Sequence, residues 1–420
     1  MSEHWRPSTW GDEISLEYGK SIRGYQGAIG KYRVFGSNGP IGWTDQALAS
    51  GPGIILGRKG AYRGVHFSRE PFFVIDTAYY VKPKTDLDIR WLYYAIIHHK
   101  LGEIDDGSPI PSTTRAAVYI QDVAIPPVQE QREIAAVLGA LDDKIELNRK
   151  TAATLEAMAR ALYRSWFVDF DPVHAKAEGR IPAHMPPETA TLFPDRFGAD
   201  GLPGGWEWRT FDSFYKTLET GKRPKGGVAG VSDGVPSVGA ESIKRVGVFD
   251  YGKTKFVPRS FFEAMRKGKL ADGDILIYKD GGKPGELRPA ATYISEGFPF
   301  QEACINEHVF RIRLHKLLGQ HFGFLALSSD HCMHQMRELA TGVAQPGLNQ
   351  AAMNALTFLM PSEPKILNAF SLYVQPLLDG CNEKAKESRT LAILRDTLLP
   401  RLMSGELRVG DARDLMAEVA

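Results

Sequence analysis

The side chains best suited to chemistry in this 420-residue sequence are basic and amide groups gathered in short, glycine-punctuated stretches. In the first half these are Lys20, Arg23, Lys31 and Arg33, then Arg58, Lys59, Tyr62 and Arg63, then Ser112, Thr113, Thr114 and Arg115. In the second half they are Lys222, Arg223 and Lys225, then Lys279 and Lys283 around Asp280-Gly281-Gly282, then Gln345 and Asn349. Paired donors and acceptors of this kind match base edges: Arg and Lys suit guanine, Asn and Gln suit adenine, Ser and Thr adapt to either. Any single surface Lys or Arg is by default a solvated charge. The weight therefore rests on the recurrence of three such loops at matching places, which makes them candidate DNA contacts.

Other chemistries find little support. Gly57 to Gly64 and Gly281 to Gly285 are glycine-rich, yet neither fits GxxxxGK[ST], and Gly19-Lys20-Ser21 has Ile14 where a phosphate loop needs glycine. His331-Cys332-x-His334 and His98-His99 come without a second ligand cluster or an oriented nucleophile. Asp76, Asp280, Glu286 and Glu302 are scattered acids, and no Asn-Pro-Pro-Tyr-like methyltransferase motif occurs. The 3 cysteines, Cys304, Cys332 and Cys381, are odd in number and form no CxxC pair, so neither a disulfide framework nor a metal site is expected. The expectation is a non-catalytic chain.

Elements that would position the loops emerge when residues 107–168 are laid on 342–404: Pro111 falls on Pro346, and the Pro126-Pro127 stop falls on Pro361. After the first stop Ile134, Leu138, Leu141, Ile145, Asn148, Ala152, Leu155, Ala159, Leu162 and Trp166 alternate spacings of four and three, a heptad seam. The matching positions of the second copy are Phe370, Val374, Leu377, Cys381, Lys384, Ser388, Leu391, Arg395, Leu398 and Leu402, a seam with polar interruptions. The two helices are expected to pair with each other, antiparallel, although a two-position stripe also suits a surface helix packed on its own domain. Pro376 and Pro400 are expected to break or kink the second helix.

Upstream of each helix the copies match more weakly: Trp5 and Trp10 with Trp206 and Phe211, Gly19-Lys20 with Gly221-Lys222, Gly53-Ile54-Ile55-Leu56 with Gly273-Asp274-Ile275-Leu276, and Ile75-Asp76 with Ile305-Asn306. Strands are predicted at Gly53 to Leu56, Phe72 to Val81, Asp274 to Tyr278 and Glu307 to Leu314, and a helix at Ile89 to His99. The fold class is α+β: two tandem α+β recognition domains, each followed by a long helix, with pseudo-two-fold symmetry. The boundaries read as 1–128 for the first recognition domain, 129–170 for the first helix, 171–205 for a Pro/Gly-rich connector, 206–362 for the second recognition domain, 363–408 for the second helix and 409–420 for a tail. A helix from Gln129 to Phe167 would be ~58 Å long, more than the ~34 Å of one DNA turn, so it suits a ruler between two reading heads.

At 43% apolar and 24% charged the composition is that of a soluble globular protein, with no run of ~18 apolar residues and no secretory signal at the N-terminus. A cytoplasmic location is expected. The net charge of +1 runs against a chain that grips DNA alone, because phosphate neutralisation supplies most of that affinity.

The layout resembles the specificity subunit of type I restriction-modification enzymes over essentially the whole chain. Ile125-Pro126-Pro127-Val128-Gln129-Glu130-Gln131-Arg132-Glu133-Ile134 is similar to the family's proline-proline, Glu-Gln-x-x-Ile opening of its central helix, continued by Leu141-Asp142-Asp143-Lys144-Ile145-Glu146-Leu147-Asn148. Arg164-Ser165-Trp166-Phe167-Val168-Asp169-Phe170, Pro203-Gly204-Gly205-Trp206 and Leu398-Leu399-Pro400-Arg401-Leu402-Met403-Ser404-Gly405-Glu406-Leu407 also look like the family. The second copy departs from the Glu-Gln opening, with Pro361-Ser362-Glu363-Pro364-Lys365-Ile366 in its place.

The resemblance implies that each variable domain reads one half of an asymmetric, bipartite duplex DNA target, while the helices hold the spacing and dock two modification (methyltransferase) subunits. Restriction/translocase subunits would complete the complex, an adenine methyltransferase and ATP-dependent endonuclease. S-adenosylmethionine, ATP and Mg would then belong to partner chains, with no cofactor in this one. Partners embracing the duplex would also supply the phosphate contacts that the net charge lacks. The competing readings are a coiled-coil scaffold with duplicated ligand-binding domains and a lone nuclease or methyltransferase.

Overall fold

The computed structural model describes residues 4–105, 107, 110–283, 286–295, 297–342 and 346–419. The chain divides into two compact units, unit 1 of Met1–Ile145 with Thr390–Ala420 and unit 2 of Glu146–Arg389. Each long helix thus contributes to both.

In unit 1 the strands are β1 (Arg6–Thr9), β2 (Ile14–Tyr18), β3 (Tyr32–Gly36), β4 (Gly39–Thr44), β5 (Gly53–Gly57), β6 (Val65–Ser68), β7 (Phe72–Val74), β8 (Ala78–Pro83) and β9 (Asp122–Ile125). They form an antiparallel sheet β2-β8-β5-β6, a second sheet β4-β3-β7 in which β3 and β7 run parallel, and the pair β1-β9. The predicted strand from Phe72 to Val81 is in fact two, β7 and β8, in different sheets. The chain turns between them, where Ala78 N–H donates to Ile75 O at 3.1 Å. The helix Ile89–His98 starts at Asp88, whose carboxylate accepts from the N–H groups of Arg90 and Trp91, and it buries Trp91, Leu92, Tyr94, Ala95 and Ile96.

Unit 2 repeats this topology. Its strands are β10 (Glu207–Thr210), β11 (Tyr215–Thr220), β12 (Val235–Val238), β13 (Lys255–Val257), β14 (Ile275–Tyr278), β15 (Gly282–Lys283), β16 (Glu286–Leu287), β17 (Ala290–Tyr293), β18 (Cys304–Ile305), β19 (Val309–Leu314) and β20 (Thr357–Met360). The sheets are β11-β19-β14-β17, then β13-β12-β18 with β12 and β18 parallel, the pair β10-β20 and the hairpin β15-β16. Strand for strand, the first three reproduce unit 1. The pairing of Gly53 with Gly273 is out of register by one, however: Gly57 lies opposite Ala78 and Tyr278 opposite Val309, so Ile54 corresponds to Ile275 and Gly53 to Asp274.

One glycine match has a steric cause. A Cβ on Gly19 would lie 2.1 Å from Ile75 O, and one on Gly221 would lie 1.7 Å from Ile305 O. In both units the chain leaving the first strand of the sheet passes against the turn before its neighbour, and only glycine fits.

The first long helix spans Val128–Phe167 and the second Lys365–Met403. The opening Gln131 is buried: its amide donates to Pro126 O at 2.9 Å and its carbonyl accepts from Asp88 N–H at 2.8 Å, which ties the helix start to the recognition domain. The Glu130 carboxylate accepts from Trp5 Nε1 at 3.1 Å. The second helix starts on Glu363, whose carbonyl accepts from Ile366 N–H at 3.0 Å and whose carboxylate accepts from Lys365 N–H at 3.0 Å.

The helices pair antiparallel. In unit 2 the Cys381 thiol lies 3.2 Å from Ala152 O, while the Trp166 and Phe370 ring centroids are 5.4 Å apart, so partners descend the second helix as numbers rise along the first. In unit 1, Arg395 donates to Asp142 at 2.6 Å. Ile134, Leu138, Leu141 and Ile145 are buried, as are Phe370, Val374, Leu398 and Leu402, while Leu155, Leu162, Leu377 and Leu391 are partly buried against the same clusters. Leu378, one residue beyond the expected Leu377, is the fully buried position. In each unit the seam is continuous with the domain core: Leu138 clusters with Trp91 and Val123, and Phe370 with Phe322 and Phe358.

Pro376 and Pro400 do not end the second helix, which runs through both. Both prolines are exposed, as are Leu372 and Asp396, four residues before each. The carbonyls that lose a partner therefore lie toward solvent, where water can replace the missing N–H. The Pro/Gly-rich segment after the first helix carries helices Asp171–Ala177 and Pro187–Leu192 and buries Val173 and Phe193, and residues Val409–Val419 of the tail are helical. Among the described residues no helix is long and apolar enough to cross a membrane.

Candidate nucleic-acid interface

In each unit the turn ahead of the strand next to the sheet's first edge gathers the three candidate loops. In unit 1 Gly19 N–H donates to Ala78 O at 3.1 Å, Lys20 N–H to Val74 O at 2.9 Å and Arg58 N–H to Thr77 O at 3.0 Å. The third loop joins through Gly60 N–H to Pro111 O at 3.0 Å and Thr113 N–H to Arg58 O at 2.9 Å. Unit 2 repeats three of these bonds, Lys279 N–H to His308 O at 3.1 Å, Gly281 N–H to Pro346 O at 3.0 Å and Leu348 N–H to Lys279 O at 2.7 Å, and ties its first loop differently, through Gly221 N–H to Asn306 O at 3.2 Å. These bonds are the frame on which side chains are presented.

Not every candidate side chain is free to meet a ligand. Arg63 is occupied: its Nε donates to Gly102 O at 2.9 Å and its Nη1 to Gly60 O at 2.9 Å. Thr113 is fully buried with its hydroxyl 3.0 Å from Ile104 O. Thr114 caps the helix Arg115–Tyr119, and Asn349 caps Gln350–Ala355, each side chain accepting a helix N–H. These four make local structural hydrogen bonds. Ser112 donates to Ile110 O at 3.0 Å. Gln345 lies outside the described residues, and for Lys283 only the backbone is described.

The remaining groups face outward. In unit 1 Lys20, Arg23, Lys31, Lys59 and Tyr62 are exposed. Exposed Arg33 stacks its guanidinium 4.0 Å over the Trp43 ring, and Lys31 lies 5.3 Å over Tyr32, on the second sheet rather than at the turn. At the turn, Arg58 lies 4.9 Å and Arg115 4.2 Å from the centre of the Tyr18 ring, and Arg58 donates to Asp76 O at 2.8 Å. Burial and the nearby Tyr18 raise the Tyr79 hydroxyl beneath them to about 12, so it stays protonated. Tyr18, at the end of a strand rather than in a loop, was not singled out by composition. The signal that could have found it is an aromatic immediately before Gly19-Lys20.

In unit 2 Lys222 and Lys225 are exposed, but the groups at the turn are paired. Lys279 lies 3.1 Å from Asp280, Asp280 3.0 Å from His308 Nδ1, His308 Nε2 3.3 Å from Glu307, and Glu307 3.1 Å from Arg223. Basic and acidic side chains thus alternate across the face that unit 1 leaves dominated by arginine and tyrosine.

Unit 2 also has a cavity of about 650 Å³ lined by Arg160, Tyr163, Phe167, Trp208, His331 and Cys332, among others, and no candidate contact residue lines it. Burial pushes the Cys332 and Cys381 thiols up to about 12, far from the thiolate that reactive cysteines need. Among the described residues no group of three or more His, Cys, Asp or Glu could hold a metal ion.

Comparison with known proteins bears on this arrangement. Residues 12–157 match the family described as type I restriction modification DNA specificity domain. The chain is 24% identical over 423 residues to the type I restriction enzyme MjaIX specificity subunit of Methanocaldococcus jannaschii, covering 95% of this chain and 88% of that one. It is 25% identical over 353 residues to the type I restriction enzyme HindI specificity subunit of Haemophilus influenzae, covering 71% of each. The crystal structure of the S subunit of a type I restriction-modification system from M. genitalium superposes with a TM-score of 0.57 at 15% identity, over 95% of this chain and 96% of that one, which shows a common fold.

Proposed function

This chain belongs to the type I restriction-modification specificity subunits, and on that premise we propose that each unit reads one half of a bipartite, asymmetric DNA target while the long helices set the spacing and dock two modification subunits. The observation that carries this reading is the shared frame: equivalent backbone bonds join the second and third loops to the turn in both units and a close glycine contact sets the first against it, yet the presented side chains differ. A common frame with divergent faces is what two unlike half-sites require. The 40-residue first helix, roughly 60 Å at ~1.5 Å per residue, exceeds one DNA turn of ~34 Å.

The chain is non-catalytic in this reading. S-adenosylmethionine, ATP and Mg are handled by modification and restriction/translocase subunits in the cytoplasm, and these partners supply phosphate contacts that a net charge of +1 does not. The test is a domain exchange in the complex with its modification subunit: replacing residues 1–120 by the equivalent domain of a relative should change one half of the methylated motif and leave the other. A change in both halves, or in neither, sinks the two-head reading.

A further inference from the structure

We propose, on the half-site reading above, that one equivalent position in each unit reads a base directly: Arg115 a guanine and Gln350 an adenine. The equivalence is set by hydrogen bonds. Thr113 N–H binds Arg58 O as Leu348 N–H binds Lys279 O. The next residues, Thr114 and Asn349, cap short helices, and the residues after them are Arg115 and Gln350. Each therefore follows a locked residue on the loop that the turn draws against Arg58 or Lys279.

Neither side chain has a hydrogen-bond partner among the described residues. Arg115 is held by stacking, 4.2 Å over the Tyr18 ring, with Glu17 no nearer than 4.0 Å. Its Nε is buried without a partner. A stacked guanidinium keeps its plane ordered while its N–H donors remain unspent, which is the state that a bidentate contact to guanine O6 and N7 uses. Gln350 is exposed at the same place. Its amide offers one donor and one acceptor, the pair that matches adenine N7 and N6. Tyr18 has no aromatic counterpart in unit 2, where β11 ends at Thr220, so Gln350 has no such ring at the matching place.

The experiment uses the full chain co-expressed with its modification subunit, with methylated motifs mapped genome-wide and binding measured on duplexes substituted one base pair at a time. Arg115→Ala should relax a single guanine position in one half of the motif, with roughly 5- to 150-fold less discrimination there. Gln350→Ala should do the same at a single adenine position in the other half. Arg115→Lys keeps the charge without the fork and should also relax the guanine position while overall binding stays close to wild type, which separates base reading from misfolding.

A motif unchanged in the alanine variants, a uniform loss at all positions, or relaxation at other bases would overturn the inference. If the wild-type complex methylates a gapped motif and the variants do not alter it, this inference alone fails. If the wild-type complex methylates no gapped motif, the half-site reading fails and takes this inference with it.

Discussion

At the turn that gathers the three loops, unit 1 and unit 2 share three equivalent backbone hydrogen bonds and differ in side-chain chemistry. Unit 1 stacks Arg58 and Arg115 on Tyr18, whereas unit 2 chains Lys279, Asp280, His308, Glu307 and Arg223 into a run of paired basic and acidic side chains. The sheets beneath differ too. Where unit 1 has Gly53 at the start of its central strand, unit 2 buries Asp274, which accepts from Arg311 at 2.5 Å and Arg313 at 2.6 Å, with Glu219 2.7 Å from Arg311. Conversely, unit 1 buries Glu13 in the stretch where unit 2 has Phe214. The frame depends on backbone bonds and close glycine contacts that side-chain changes leave alone, so the faces are free to diverge.

The sharpest way to break this comparison is Asp274→Ala. It takes away the buried carboxylate that Arg311 and the partly exposed Arg313 share, leaving Arg311 with Glu219, and unit 2 should lose about 3 kcal/mol. Hydrogen exchange should rise in Ile275–Tyr278 and stay unchanged in Gly53–Gly57; protection lost equally in both strands would mean that the two units do not hold separate charge solutions. A smaller and shared effect is expected of the glycines. Gly221→Ala and Gly19→Ala should each cost about 1–3 kcal/mol by forcing backbone apart, with Gly221 the more sensitive, as read from denaturation midpoints. A neutral Gly221→Ala would remove the steric reason for the repeat.

The smallest effect is a pH dependence confined to unit 1. Burial alone would raise the Glu13 carboxyl, but hydrogen bonds from Ser8 and Thr85 and the Arg6 guanidinium at 2.7 Å outweigh it and hold it below the usual carboxylate range. A group with a depressed folded-state pKa contributes stability that is fully present above its unfolded value of ~4.3 and is lost as pH falls through its folded value. Acid should therefore loosen β2 and β8 through Glu13, and Glu13→Gln should flatten that dependence in hydrogen exchange between pH 5 and 3. An unaltered slope would remove Glu13 from the account.

The long helices were legible because heptad spacing is local: Ile134, Leu138 and Leu141 lie on one face wherever the helix forms, and all three are buried. That the second helix continues through its prolines was not legible, because a sequence shows the lost N–H of Pro376 but not that Leu372, four residues before it, is exposed. The split of Phe72 to Val81 was hidden for a related reason, since one apolar run feeds two sheets and only strand pairing separates them. Among the candidate contacts, Arg63, Thr113, Thr114 and Asn349 have the same chemistry as their free neighbours. What sets them apart is a carbonyl or helix N–H supplied by backbone nearby in space. Tyr18 and Gln350 went unseen because their interest comes from what stands beside them.

The sequence by itself determined the duplication, the long amphipathic helices and the recurrence of three loops, since these follow from residue spacing along the chain. Only the tertiary structure decided the one-residue register between the copies, the antiparallel course of the helices and which polar groups remain unspent. Each of those depends on hydrogen bonds and packing between residues far apart in number, and hydrogen-bonding capacity is used up by whichever partner folding brings within 3 Å or so.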